Sequence, residues 1–265
     1  MIKPDRVLTF LNTRPVEQAA ALSQSVRQRG HQVLECPTLK ICPLPLPEQA
    51  KTMLPEFDKV FFISQNAVKQ LVEKWQSTYQ AVPEFASRTS CFAIGQSTYT
   101  AMESYNWPVV KLKSTQYVTE TLLQSDDLQD LTSQRCLIVK GMGGRPALAE
   151  GLKAAGATVT EWALYERKPA DFCAPEWQTF QQTHHPVLLI SSLEAWDSLE
   201  KMLTKNNENW TKKDQAWLFL QDIIVFSNRI KKALQQYGWQ GRMFVVPQQS
   251  NAGILAALEQ ISIER

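Results

Sequence analysis

Two kinds of unit recur along this chain, and their order limits the fold more than any single motif. The first kind is strand, Arg-Pro, helix, glycine, strand. In one copy Val7-Leu8-Thr9-Phe10-Leu11 precedes Arg14-Pro15, a helix ending at Gly30 and the strand Val33-Leu34-Glu35-Cys36. In the other, Cys136-Leu137-Ile138-Val139 precedes Arg145-Pro146, a helix ending at Gly156 and a strand from Val159 to Tyr165. Leu22 to Gly30 and Leu148 to Gly156 are both eight residues, and each glycine stands three before a valine, Val33 or Val159. Glycine at those places suits left-handed backbone at a helix end. The second kind is a run of three strand–helix pairs. Phe62-Ile63-Ser64 matches Leu189-Ile190-Ser191, and twelve residues separate both Gly95 from Trp107 and Ser227 from Trp239. A Val-rich strand follows in each run, at Val109–Leu112 and Phe244–Val246, and then a helix, the first opening near Ser114-Thr115. Short apolar runs alternating with helical periodicity read as parallel strands covered by helices. Ligands of such sheets sit beyond the carboxyl ends of the strands.

The units run first kind, second kind, first kind, second kind. Pairing neighbours would give two domains in tandem. A connector with Pro37, Pro43, Pro45 and Pro47 follows the first unit, and the second unit runs directly into the third. Both facts favour pairing the outer two units and the inner two units, with the inner pair inserted; alternating pairing stays open. Two segments then cross the boundary, Cys36–Pro43 outward and Trp162–Pro169 back. Proline makes the outward segment extended and stiff. At 265 residues the chain is long enough for two ordinary domains.

Composition removes several classes. With 44% hydrophobic and 20% charged residues the chain is globular rather than disordered. No apolar run approaches the roughly 20 residues of a membrane span, and the start of the chain lacks the pattern of a signal peptide. A cytoplasmic protein that engages no membrane is expected. The net charge of +2 is mild and no basic stripe forms, which argues against a nucleic-acid partner. Five scattered cysteines without a C-x-x-C pair read as free buried thiols, with no metal site. Gly141-Met142-Gly143-Gly144 is not a dinucleotide fingerprint, because Pro146 stands where the third glycine is required. It suits a turn that lets backbone approach a ligand.

Several segments together resemble the uroporphyrinogen-III synthase family. They are Thr13-Arg14-Pro15, Ile63-Ser64-Gln65-Asn66-Ala67-Val68, Ala93-Ile94-Gly95, Lys140-Gly141-Met142-Gly143-Gly144-Arg145 and Leu164-Tyr165-Glu166-Arg167, and they occur in the family's order across nearly the whole chain. The resemblance implies an α/β fold of two flavodoxin-like parallel-sheet domains, one inserted in the other and joined by a two-stranded linker. On this chain the outer domain is residues 1–36 with 171–265, the inserted domain 43–162, and the linker strands 37–42 and 163–170. It also implies a cofactor-independent lyase of haem biosynthesis that dehydrates hydroxymethylbilane, a linear tetrapyrrole, inverts its last pyrrole ring and closes the macrocycle. A monomer is expected, with transient handover of substrate from hydroxymethylbilane synthase.

That chemistry needs groups that bind many carboxylates and one that helps a hydroxyl leave. Helix N-termini bind anions, and the chain offers such starts after Asn12, Ser64, Gly95, Ser191 and Ser227. The candidate substrate-binding residues are Arg14, Ser64, Gln65, Asn66, Gly95, Ser97, Thr98, Gly141, Gly143, Arg145, Ser191, Ser192, Ser227 and Asn228. Thr13 is a candidate cap for the first helix. Arg14 and Arg145 can each pair a carboxylate through two N–H groups, or serve as structural ion-pair partners. Tyr165 is the candidate catalytic acid: a free phenol, with a pKa of about 10, holds its proton at neutral pH. Its ordinary alternative is a strand tyrosine, as the ordinary alternative for each Ser, Thr or Asn is a helix cap. One stretch departs from the family. Where many members have a Gly-Pro-Thr-Thr-like turn, this chain has Ser227-Asn228-Arg229-Ile230 and lacks a hydroxyl in the first helical turn. The rival functions are a non-catalytic two-domain protein that binds a small anion, and a flavodoxin-like electron carrier, which would be yellow with flavin.

Overall fold

A computed structural model describes residues 6–110, 122–123, 125–144, 146–205 and 210–263. Arg145, the end of the expected strand from Val109 and most of the expected helix from Ser114 lie outside the described residues. The chain divides into two compact units: one takes the residues up to Lys40 and from Lys168 onward, the other takes Ile41–Arg167.

The outer unit is built on a five-stranded parallel sheet. Its strands are β1 (Thr9–Asn12), β2 (Gln32–Glu35), β8 (Pro186–Ile190), β9 (Asp222–Val225) and β10 (Met243–Val245), in the spatial order β10-β9-β8-β1-β2. Numbered along the unit's own chain this is the order 2-1-3-4-5 of a doubly wound sheet. Strand residues alternate between two cores, as a sheet buried on both faces requires. Leu11, Leu188, Ile190, Ile223 and Val225 face one core; Phe10, Val187, Leu189 and Ile224 face the other. Helix α1 (Val16–Gln28) covers the second face with Leu22 and Val26. It ends in Gly30, whose φ of +84° is the left-handed conformation expected there.

The inserted unit has strands β4 (Lys59–Phe62), β5 (Ser90–Ala93), β6 (Arg135–Gly141) and β7 (Thr158–Pro169), with β3 (Leu39–Pro43) beside β7 at one edge. The pairs β4–β5, β4–β6 and β6–β7 are parallel, and a single bridge joins Cys91 to Val109 beyond β5. Along the sheet the order is therefore β7, β6, β4, β5 and then Val109. This is the outer unit's spatial order with its first strand–helix–strand block moved to the end of the chain. Helix α3 (Gln65–Tyr79) buries Val68, Leu71, Val72 and Trp75 against Val60, Phe62 and Leu137. On the other face Leu148 and Leu152, from the helix Ala147–Ala154, pack on Phe61, Phe92 and Ile138. That helix is closed by Gly156 at φ +98°.

The structure corrects three expectations. Cys36 and Cys173 are paired as a disulfide, with Cα atoms 5.4 Å apart, a usual separation for such a bond; Cys42, Cys91 and Cys136 are free. The partners are 137 residues apart and meet because one ends the outward run of the outer unit and the other begins its return. Burial pushes the Cys91 thiol up to about 12 and Cys136 up to about 11, so neither is a ready thiolate. Second, Thr13 does not cap α1. It is fully buried and its hydroxyl donates to the carbonyl of Leu189, while the helix starts behind Pro15 without a side-chain cap. Third, three helices were not foreseen: α2 (Ala50–Met53), Ala174–Gln181 and Lys212–Leu218. The last had a signal, since Thr211 and Asp214 form a reciprocal capping box. Among the described residues no helix is long and apolar enough to cross a membrane.

Candidate active site

In the inserted unit the candidates gather where β4 and β6 end, beside Tyr165 of β7. β7 carries one extra residue against β6: Lys140 faces Ala163, but Gly141 faces Tyr165. Such a bulge re-aims the side chain that follows it. The Tyr165 ring is consequently laid on Gly141. A Cβ there would stand 2.6 Å from two ring carbons and 3.1 Å from the phenol oxygen, so only glycine admits the ring. The amide of Met142 donates to the Tyr165 carbonyl at 2.7 Å, which fixes the backbone beneath it. Tyr165 is 2% exposed, and its hydroxyl lies 2.9 Å from Ser64 Oγ.

Ser64 is the N-cap of α3, and its Oγ accepts from the amide of Ala67 at 3.2 Å. Gln65 and Asn66 open the same helix; Asn66 is buried and Gln65 half-buried. Beside the phenol lies a pocket of about 90 Å³. Ile63, Ile138 and Leu148 form its apolar part, and Lys140, Glu161 and Arg167 its charged part. A drug-sized ligand needs roughly 300 Å³ or more, so this pocket takes one substituent of a larger molecule. Lys140 Nζ is held 2.6 Å from Glu161 Oε2, and the Arg167 guanidinium lies 6.0 Å from the Tyr165 ring centre. Gly143 and Gly144 adopt φ of +75° and +94°, with open space where a Cβ would be. Their exposed backbone is approachable, which fits the turn expected of them.

The next tip of this unit, after β5, is less committed. Gly95 precedes the helix Gln96–Glu103 at φ +97°, and Ser97 is exposed. The Thr98 hydroxyl is turned inward and donates to the carbonyl of Ile94 at 2.8 Å, an ordinary back-bond.

In the outer unit the candidates fall on the corresponding edge. Arg14 follows β1 and is half-buried. One N–H group donates to Asn251 Oδ1 at 2.7 Å and another to Gln18 Oε1 at 2.9 Å, and the guanidinium lies 5.9 Å from the ring centre of Phe226. Both of these acceptors are neutral, and among the described residues Arg14 makes no ion pair. Burial lowers its pKa from the ordinary arginine value. A partly desolvated cation whose described partners are amides has the chemistry to take an anion. Ser192 accepts from the amide of Ala195 at 3.0 Å and Ser227 from that of Ile230 at 3.3 Å, so both hydroxyls cap helices. Ser191 is half-buried beside Ser192, and Asn228 is exposed in the first turn behind Ser227. Asn251, Gln18, Lys140 and Met142 were not among the candidates. Asn251 opens the helix Asn251–Ile263 after β10, and that strand-tip position was its available signal. Among the described residues no three His, Cys, Asp or Glu side chains are grouped to hold a metal ion.

The family model described as uroporphyrinogen-III synthase HemD matches residues 20–255. The uroporphyrinogen-III synthase of Escherichia coli (strain K12) is 27% identical over 262 residues, which cover 95% of this chain and all of that protein. The enzyme of Salmonella typhimurium is 28% identical over an equal length and coverage. Solved structures of the synthases from Helicobacter pylori and Thermus thermophilus (a mutant) align over 96% of this chain and all of their own, with TM-scores of 0.60 and 0.59 at 14% identity. At that identity the structures speak for the fold alone. The sequence matches support an enzyme of tetrapyrrole biosynthesis over the binding-protein alternative, and the chain belongs to the uroporphyrinogen-III synthase family.

Proposed function

We propose that this chain dehydrates hydroxymethylbilane and closes it, with inversion of the last pyrrole ring, to uroporphyrinogen III, and that Tyr165 is its proton donor. The observation that carries the residue assignment is the seat of the phenol. A strand tyrosine with only a packing role needs neither a bulge to aim it nor a glycine cut away beneath it, and here both meet at Gly141. The phenol oxygen also lies at the strand-tip edge, beside a pocket with room for one substituent.

In this reading Tyr165 gives its proton to the hydroxymethyl oxygen as the carbon–oxygen bond breaks. The products of that step are water, a carbocation conjugated with the terminal pyrrole, and a phenolate. Carbon then attacks the cation through a spiro intermediate, and the proton released on ring closure restores the phenol. Carboxylates of the substrate are bound by groups at the strand tips of each unit. In the inserted unit these are the backbone around Gly141 and Gly143, the first turn of α3, and Gly95, Ser97 and Arg145. In the outer unit they are Arg14, Ser191, Ser192, Ser227 and Asn228. Thr98, whose hydroxyl is turned inward, contributes through its backbone. No cofactor takes part. Residues 37–42 and 163–170 are read as linkers between an outer domain of 1–36 with 171–265 and an inserted domain of 43–162. In the same reading the protein works as a cytoplasmic monomer and receives its unstable substrate in transient contact with hydroxymethylbilane synthase.

The test is an isomer assay. Hydroxymethylbilane is generated enzymatically, this protein is added, and the oxidised products are separated into uroporphyrins I and III. Isomer III above the uncatalysed background is the expected result. Isomer I alone, from folded protein and competent substrate, would overturn the assignment of the reaction.

A further inference from the structure

We propose that Ser64 is a positioning residue that acts through Tyr165: its hydroxyl reverses its hydrogen bond to hold the phenolate when the proton leaves. The inference rests on the reading of Tyr165 as proton donor, and it goes beyond listing Ser64 among the groups that touch substrate.

Hydrogen-bond accounting leads to it. A serine hydroxyl has one proton to donate and two lone pairs to accept with. One lone pair of Ser64 Oγ is taken by the amide of Ala67, at 3.2 Å. One lone pair and the proton remain, and the phenol oxygen of Tyr165 lies 2.9 Å away. Either oxygen can be the donor across that distance. With the phenol protonated, Tyr165 can donate to the free lone pair of Ser64. When the Tyr165 O–H bond breaks and a new O–H bond forms on the departing water, the phenol oxygen keeps the electron pair and can only accept. Ser64 then turns its own proton toward it. The bond from Ala67 is untouched in both states, so the cap of α3 survives the cycle. No third group is needed.

Two further features favour this role. Ser64 stands at the N-terminus of a helix of 15 residues, Gln65–Tyr79, whose dipole favours negative charge at that end. Gly141 prevents the ring from being pushed out of reach, because it leaves the space that the ring fills. A hydroxyl whose only duty was to cap α3 would have no reason to meet a second hydroxyl at hydrogen-bond distance in a seat cleared for it.

The experiment is a double-mutant cycle on kcat for isomer III formation, with thermal unfolding of every variant recorded in parallel. Ser64→Ala should lower kcat about 10- to 100-fold, the worth of a hydrogen bond to a charged group, with KM within about twofold. Ser64→Thr, which keeps both the acceptor and the proton, should restore most of kcat. Ser64→Asp should restore the stability lost with the cap but not kcat, because a carboxylate accepts from Ala67 and cannot donate to a phenolate. In a Tyr165→Phe background Ser64→Ala should cause no further loss of kcat. An equal loss in both backgrounds would overturn the proposal and make Ser64 an independent substrate contact. Full kcat in Ser64→Ala, or rescue of kcat by Ser64→Asp, would overturn it as well. If Tyr165→Phe alone turns over at the wild-type rate, the reading of Tyr165 fails first and this inference falls with it.

Discussion

The outer and inserted units carry sheets of one spatial order, yet their strand-tip edges are built differently. In the outer unit the chain leaves β1 through Thr13 and Arg14. Thr13 is buried with its hydroxyl on the Leu189 carbonyl, and Arg14 lies 5.9 Å from the ring centre of Phe226, bonded to Asn251 and Gln18. In the inserted unit the chain leaves β6 through Lys140 and Gly141. Lys140 is tied to Glu161, and the bare glycine receives the ring of Tyr165. The first edge presents a half-buried cation whose hydrogen-bond partners among the described residues are amides. The second presents a hydroxyl pair. One residue without a Cβ, together with one extra residue in the facing strand, separates the tip that carries the hydroxyl pair from the tip that carries the arginine.

Gly141→Ala should break this difference most severely. The added Cβ would meet the ring at 2.6 Å, so the phenol must leave its seat. We expect kcat to fall about 100-fold or more, the usual worth of a general acid, and overpacking to cost roughly 1–3 kcal/mol of stability. Near-normal turnover would show that the tip needs no cleared seat. Arg14→Ala tests the other edge. It should raise KM about tenfold through the loss of a charged hydrogen bond to substrate, with kcat within about twofold; a fall in kcat alone would move chemistry to the outer unit.

Two smaller changes should weaken the outer unit without touching either edge. His31 Nδ1 accepts from the amide of Leu8 at 3.3 Å, and the ring is buried. Desolvation, and then the neighbouring Arg29, lower its pKa, while Glu259 opposes the shift. The folded state therefore binds this proton less readily than the unfolded chain does. Stability is fully present at higher pH and is lost as pH falls through and below about 6.5, the unfolded value. Calorimetry over that range should show a smaller loss for His31→Gln than for the wild type. The smallest effect is expected for Thr211→Ala, which removes the cap of the helix Lys212–Leu218 at a cost of about 1 kcal/mol. Thermal unfolding should report it while kcat stays unchanged.

The nested order of the two units was legible because it rests on local signals. Helix-ending glycines at equal spacing, serines at strand tips and alternating apolar runs each record what a few neighbouring residues do, and Gly30, Gly156, Ser64 and Ser227 behave as their positions imply. What the sequence hid depends on residues far apart in the chain. Cys36 meets Cys173, Thr13 bonds to Leu189, and Arg14 finds Asn251 only after the inserted unit has been passed over. The reason for Gly141 was hidden in the same way. A glycine in Gly141-Met142-Gly143-Gly144 looks like a turn, and three residues further it would look no different. Only the register against β7, shifted by one, shows that Gly143 and Gly144 bend the backbone while Gly141 makes room for a ring.

The central claim is that the tip of the inserted unit supplies the proton, and it is tested most directly by Tyr165→Phe in a single-turnover assay of isomer III formation. The variant keeps the ring on Gly141 and removes only the oxygen that meets Ser64. The account predicts an unchanged unfolding temperature within a few degrees and a rate of ring closure lowered about 100-fold or more. Wild-type rates from the folded variant would contradict it, and would leave Tyr165 as a strand residue that happens to fill a gap.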